Sequence, residues 1–183
     1  MRGVAMSFLV RKITRSKWPD DFCELHDIKA DAYTDLRTTN NALSFWRIEE
    51  ERELEDVMLA LAAGPNCSLE KVTVAWVDEE EFQSKGIEVE TSEGDTVIDD
   101  LKKRHRDVCA LTYASLGQVS HLLLSAMRDG RCKRFPRSEV KNAVAEALGS
   151  GRLESAKLSA QMQKNFPTLD QCRRAPAIPE GTR

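Results

Sequence analysis

The chain has 183 residues, 41% of them hydrophobic and 31% charged. That composition belongs to a folded globular chain, long enough to bury a core without a disulfide or metal staple, and it excludes collagen-like, low-complexity and wholly disordered classes. The net charge of −3 hides an asymmetry: residues 1–100 carry 11 basic and 23 acidic side chains, whereas residues 101–183 carry 16 basic and 7 acidic.

Ser7 to Ile13 is a strand candidate, apolar and partly β-branched, broken by Trp18-Pro19. The apolar stretch from Val4 is interrupted by Ser7 and runs into Arg11-Lys12 and Arg15, so it reads as a strand rather than a signal peptide; Met6 is an alternative start. Residues 20–41 are polar and irregular, and Asn40-Asn41 is turn chemistry. Leu43 to Ile48 is a second strand. Glu49 to Ala63 is a helix, with Leu54, Val57, Met58 and Leu61 at helical spacing, an acidic first turn and a Gly64-Pro65 stop.

Val72 to Val77 is apolar on both faces, as an inner strand covered from both sides would be. Asp78 to Lys85 is a short helical turn closed by Gly86, and Ile87 to Glu90 alternates as an edge strand does. Residues 92–95 form a loop. The remainder reads as helical. A first piece covers Val97 to Arg104. A long helix follows over Arg106 to Arg128, with Val108, Leu111, Leu116, Val119, Leu122, Leu123 and Met127 as its apolar face and Asp129-Gly130 as its end. A third helix opens at Pro136 or Ser138 and stops at Gly149, and a weaker one runs from Leu153 to Phe166. Residues 167–183, rich in breakers, read as a loose tail. The expected fold is α+β: a small mixed sheet of about four strands in the first ninety residues, followed by a helical C-terminal part. Residues 1–166 are expected to form a single domain, acidic and sheet-bearing over 1–100, basic and helical over 101–166.

No apolar run approaches the roughly 20 residues of a membrane span. The five cysteines, Cys23, Cys67, Cys109, Cys132 and Cys172, are odd in number and scattered, so reduced thiols and a cytoplasmic location are expected. Cys23 with His26 and His105 with Cys109 have spacings that resemble zinc pairs, the second on one face of the long helix. The pairs are far apart and lack knuckle glycines, so no metal and no cofactor is expected. His121 has no nucleophile beside it. Asp20, Asp27 and Lys29 are cramped for a metal-dependent nuclease, and no phosphate loop is present.

Two surfaces remain. The loop Asp31, Thr34, Asp35, Arg37 and Asn40, leading to Trp46, is either a ligand loop against a rigid strand or a turn satisfied by its own side chains; the second reading is favoured. The stronger signal is basic: Lys102, Lys103, Arg104 and Arg106 in one cluster, Arg128, Arg131, Lys133, Arg134 and Arg137 in another. On one helix of about 22 residues the clusters would lie roughly 33 Å apart. The Gly149-Ser150-Gly151 link between the last two helices weakly resembles a helix-turn-helix, without base-reading side chains after it. Base-stacking aromatics are also missing, with Phe135 alone nearby. The function expected is that of a non-enzymatic interaction or regulatory protein, a subunit of a larger assembly that meets a protein partner through the basic surface. Nucleic-acid binding through the same residues is the alternative, and an enzyme site around residues 18–48 is the second.

Overall fold

The computed structural model describes residues 6–19, 28–64 and 69–166. Six strands form one sheet: β1 (Phe8–Lys12), β2 (Leu43–Ile48), β3 (Val72–Asp78), β4 (Val89–Thr91), β5 (His105–Val108) and β6 (Cys132–Phe135), in the spatial order β4-β5-β2-β1-β3-β6. Every pairing is antiparallel. The helices are α1 (Leu54–Ala62), α2 (Glu79–Ser84), α3 (Asp99–Lys102), α4 (Tyr113–Arg128), α5 (Arg137–Gly149) and α6 (Ala160–Gln163).

The central strands explain the layering. In β1, Leu9 and Val10 point to opposite faces and both are fully buried. In β3, Val72, Val74 and Trp76 face one way and Ala75 and Val77 the other, all buried. A sheet that is apolar on both faces needs cover on both. One face meets α1, α3, α5 and the segment through Leu153, Leu158 and Met162. The other meets α2, α4 and the 3-10 turn Ala30–Thr34, together with Trp18, Leu36 and Leu111.

The α+β class stands, and four of the expected strands are present. Two expectations are corrected. The sheet has six strands and is antiparallel rather than mixed, and strands and helices interleave through residue 135 instead of segregating at residue 100. The expected helix 106–128 is in fact strand β5 followed by α4. Ala110 adopts φ 52°, which interrupts any helix there. Thr112 then starts a new one: its Oγ1 accepts the Ser115 N–H at 3.2 Å, and its own N–H donates to Ser115 Oγ at 2.7 Å. Of the expected stripe, Val119, Leu122, Leu123 and Met127 lie buried on α4, while Val108 and Leu111 reach the same layer from β5 and the loop after it.

Smaller differences follow the same logic. The piece at 97–104 shortens to α3. The weak helix from Leu153 becomes a 3-10 turn at Ser155–Lys157 and the one-turn α6, so among the described residues nothing resembling a recognition helix follows α5. The tail at 167–183 lies outside the described residues. Gly94 marks the tightest approach: a Cβ there would stand 2.5 Å from the Trp46 ring.

Leu122 is 4% exposed within the α2/α4 layer. Leu122→Ala is expected to lower unfolding free energy by about 2–5 kcal/mol, the range for a buried leucine. Urea denaturation measures it; a loss no larger than that of a surface substitution would place Leu122 outside the core.

Candidate functional site

The basic residues do not form one surface. Lys102, Lys103, Arg104 and Arg106 lie at α3 and β5, whereas Lys133 and Arg134 lie on β6, four strand spacings away across the sheet, or about 19 Å. Several are committed to carboxylates. Lys102 Nζ lies 2.7 Å from Asp99, and Arg104 Nη1 lies 2.9 Å from Glu53 and 3.5 Å from Asp56. Arg131 lies 3.2 Å from Glu81 and 3.3 Å from Asp129. Arg106 donates to the carbonyls of Lys103 and His105. Burial, and then the neighbouring Arg47, hold its guanidinium below the ordinary value. Arg152, which no sequence pattern marks, bridges Asp56 at 2.8 Å and Asp100 at 2.7 Å.

Lys133, Arg134 and Arg137 differ. Among the described residues no carboxylate lies within ion-pair distance of any of them. Lys133 Nζ sits 4.7 Å from the centroid of the Phe135 ring. Arg134 lines a cleft of about 400 Å3 at the end of the sheet, together with Lys12, Arg15, Glu70 and Lys71. Arg15 also donates to the carbonyls of Trp18 and Pro19. Lys12 and Lys71 join this basic region only through the β1–β3 pairing, in which Lys12 stands opposite Val74. No sequence spacing announces that. Arg128 lies in the last turn of α4, where a cation suits the carbonyl end.

The loop residues divide. Asp35 is the hub of one hydrogen-bonded node. Its Oδ2 accepts the Thr14 N–H at 2.6 Å and the Trp18 indole N–H at 3.0 Å, and Oδ1 accepts from Lys17 Nζ at 3.2 Å. Its carbonyl accepts from the Arg11 guanidinium, which also donates to Ser44 O at 2.7 Å and lies over Phe45. Desolvation pulls Arg11 down to about 10, with Asp35 opposing, so the group stays charged at neutral pH. Burial raises the Asp35 carboxyl, but the donors from Thr14, Trp18 and Lys17 outweigh it and hold it below its usual value.

Thr34 Oγ1 donates to Asp31 O at 2.7 Å, a turn closed on itself. Asn40 and Asn41, at φ 53° and 57°, form a two-residue turn closed by Thr39 and Ala42. Arg37 borders a shallow surface depression with Tyr33 and Thr38. Trp46 faces the opposite layer, buried and edge-on to His105 at 5.2 Å, so it does not share a surface with the loop.

The zinc spacing is also redistributed. His105 and Cys109 sit at and just past a strand, where residues four apart are separated by about 13 Å rather than one helical turn. His105 Nδ1 is 2.7 Å from Ser92 Oγ, and burial lowers its pKa. The Cys109 thiol is pushed up, by burial first and then by Glu90 and Asp107. Cys23, His26, Asp20 and Asp27 lie outside the described residues. His121 is exposed on α4. No helix among the described residues is long and apolar enough to cross a membrane. No family model, curated protein or solved structure matches the chain.

Asp35 is ionised in the fold, and its carboxyl is held below the unfolded value of about 3.9. Its contribution is therefore complete above that value and is lost as pH falls through the lower, folded one. Asp35→Asn is expected to cost about 1.5–3 kcal/mol near neutral pH, the range for hydrogen bonds to a charged group. In urea titrations the gap from wild type should narrow steadily below about pH 4. A gap that stays constant down to about pH 2 would show that ionisation of Asp35 is not what holds the node.

Proposed function

We propose that the chain is a non-enzymatic interaction protein, one subunit of a larger assembly, which meets an acidic protein surface through β6 and its flank. The observation that carries the reading is the contrast among the basic residues. Lys102, Arg104 and Arg131 are spent on internal carboxylates, whereas Lys133 and Arg134 on the edge strand β6, and Arg137 at the start of α5 beside it, have none within reach among the described residues. An edge strand offers backbone groups as well as charge, and an extended partner segment can use both. Electrostatic steering then sets the association rate and makes it salt-dependent.

Nucleic acid is the competing partner class. It would use the same charges together with Lys12 and Lys71 at the neighbouring cleft. Phe135, the aromatic beside them, is 1% exposed and is not free to stack on a base, which favours the protein reading.

The double reversal Lys133→Glu/Arg134→Glu spares Arg131 and its ion pairs. It is expected to cost no more than about 1 kcal/mol of stability, because neither side chain has an ionic partner to lose and only the contact of Lys133 with the Phe135 ring is removed. Fluorescence anisotropy with a labelled polyglutamate chain should show binding by wild type that weakens at least about tenfold in the reversal and falls steeply with salt. Binding to duplex DNA but not to polyglutamate, with a slope of about −0.9 per phosphate neutralised, would replace the protein reading by the nucleic-acid one. Equal polyglutamate binding by wild type and reversal would remove β6 as the site.

A further inference from the structure

Among the described residues β4 and β6 are the two edge strands of the sheet, and they differ in sign. Around β4 the sequence runs Glu88, Val89, Glu90, Thr91, Ser92, Glu93; along β6 it runs Cys132, Lys133, Arg134, Phe135. The hydrogen-bond phase at each edge is fixed. Cys109 N–H donates to Glu88 O at 2.9 Å and Ser92 N–H to His105 O at 3.5 Å, so residues 88, 90 and 92 turn their backbone groups to β5 and Val89 and Thr91 turn theirs outward. Trp76 N–H donates to Arg131 O at 3.2 Å, so residues 131, 133 and 135 face β3 and Cys132 and Arg134 turn outward. Among the described residues, these outward groups on both strands have no backbone partner.

We infer that the acidic partner of β6 is the β4 edge of a second copy of this chain, joined as a seventh antiparallel strand with Glu90 opposite Lys133. The inference rests on the reading that β6 is the interaction surface. Three independent features fit that one register. Because six strands alternate in direction, β4 and β6 run opposite ways, so a second β4 laid beside β6 continues the alternation without turning the sheet over. Placing Glu90 against Lys133 brings Val89 opposite Arg134 and Thr91 opposite Cys132. Those four residues are the ones whose backbone groups point outward, and two such pairs exchange four hydrogen bonds.

The side chains also meet on one face. Glu90 stands opposite Asp107, which stands opposite Ser44; Lys12 stands opposite Val74, which stands opposite Lys133. Carrying the β1–β2 register two residues beyond Val10 and Trp46 joins these halves into one row across the sheet, with Glu90 at one end and Lys133 at the other. Edge-to-edge addition continues that row with an opposite-charge, non-hydrogen-bonded pair, the closer of the two pair types.

Like edges exclude each other. A twofold β6–β6 pair centred on Lys133 sets lysine against lysine, and a β4–β4 pair sets Glu90 against Glu90; such opposed like charges are destabilising. The contact is therefore head-to-tail and open, giving a concentration-dependent series of oligomers rather than a closed dimer.

Sedimentation of the full chain at low salt tests this. Wild type should show a weight-average mass that rises with concentration from about 5 µM to about 500 µM and returns to the monomer in about 0.5 M salt. Lys133→Glu alone, with glutamate facing Glu90, and Glu90→Lys alone, with lysine facing Lys133, should each stay monomeric. Mixed in equal amounts they should associate as wild type does, because every junction between the two variants is again of opposite charge. Wild type that stays monomeric throughout overturns the inference, as does either variant self-associating like wild type or a mixture that remains monomeric. If polyglutamate binding still depends on Lys133 and Arg134 in that case, β6 remains the interaction surface and only the identity of its partner changes.

Discussion

Burial of β1 and β3 on both faces is the constraint from which the other arrangements follow. Leu9, Val10, Val74, Ala75 and Val77 are all fully buried, so neither side of these strands can face water. At roughly 25 cal/mol per Å2 of apolar surface, exposing either face would cost more than the net stability of a domain this size. Two helical layers are therefore obligatory, and the chain must cross the sheet repeatedly to build them. The exception inside β1 is Arg11. It is accommodated because its guanidinium reaches the carbonyls of Asp35 and Ser44 and lies over Phe45, so a charge in an apolar layer keeps its hydrogen bonds.

Much of the sequence's charge asymmetry is resolved within the fold. Arg104 and Arg152 converge on Asp56, with Glu53 and Asp100 beside it, which ties α1 to α3, β5 and the segment after α5. These side chains are partly exposed, so each pair contributes little to stability. Their consequence is local: they neutralise Arg104 and Arg152 at one end of the sheet, where Lys103 has no carboxylate within ion-pair distance among the described residues, as is true of Lys133 and Arg134 at the other end.

The legible part of the sequence was the part in which burial wrote a period. β3 reads as an inner strand because all its residues but the last are buried, and α1 reads as a helix because Leu54, Val57 and Met58 share a face. β5 and β6 escaped because each has four residues and two of them are charged, so the one apolar position of β5 and the two of β6 cannot establish alternation. The apolar residues of 108–127 do line one surface, but Val108 and Leu111 reach it from outside the helix, and Ala110 and the Thr112 cap are weak signals against seven well-spaced apolar side chains. Asp35 was visible as a polar loop residue, and its turn-forming neighbours behave as short polar side chains do. Its bonds to Thr14 and Trp18 join segments about 20 residues apart, which no local pattern encodes. Likewise, the opposite signs of β4 and β6 matter only once the strand order sets them at the two ends of one sheet.

The three tryptophans divide between the layers. Trp18 packs with α2 and α4, its indole held by Asp35; Trp46 and Trp76 pack with α1 and α5, one of them edge-on to His105. The protein thus carries a separate intrinsic optical reporter for each side of its sheet. Emission from a chain that keeps only Trp18 follows the opening of one layer, and emission from a chain that keeps only Trp46 and Trp76 follows the other. Whether the two sides come apart together or in turn is therefore readable from native fluorescence, without an attached dye.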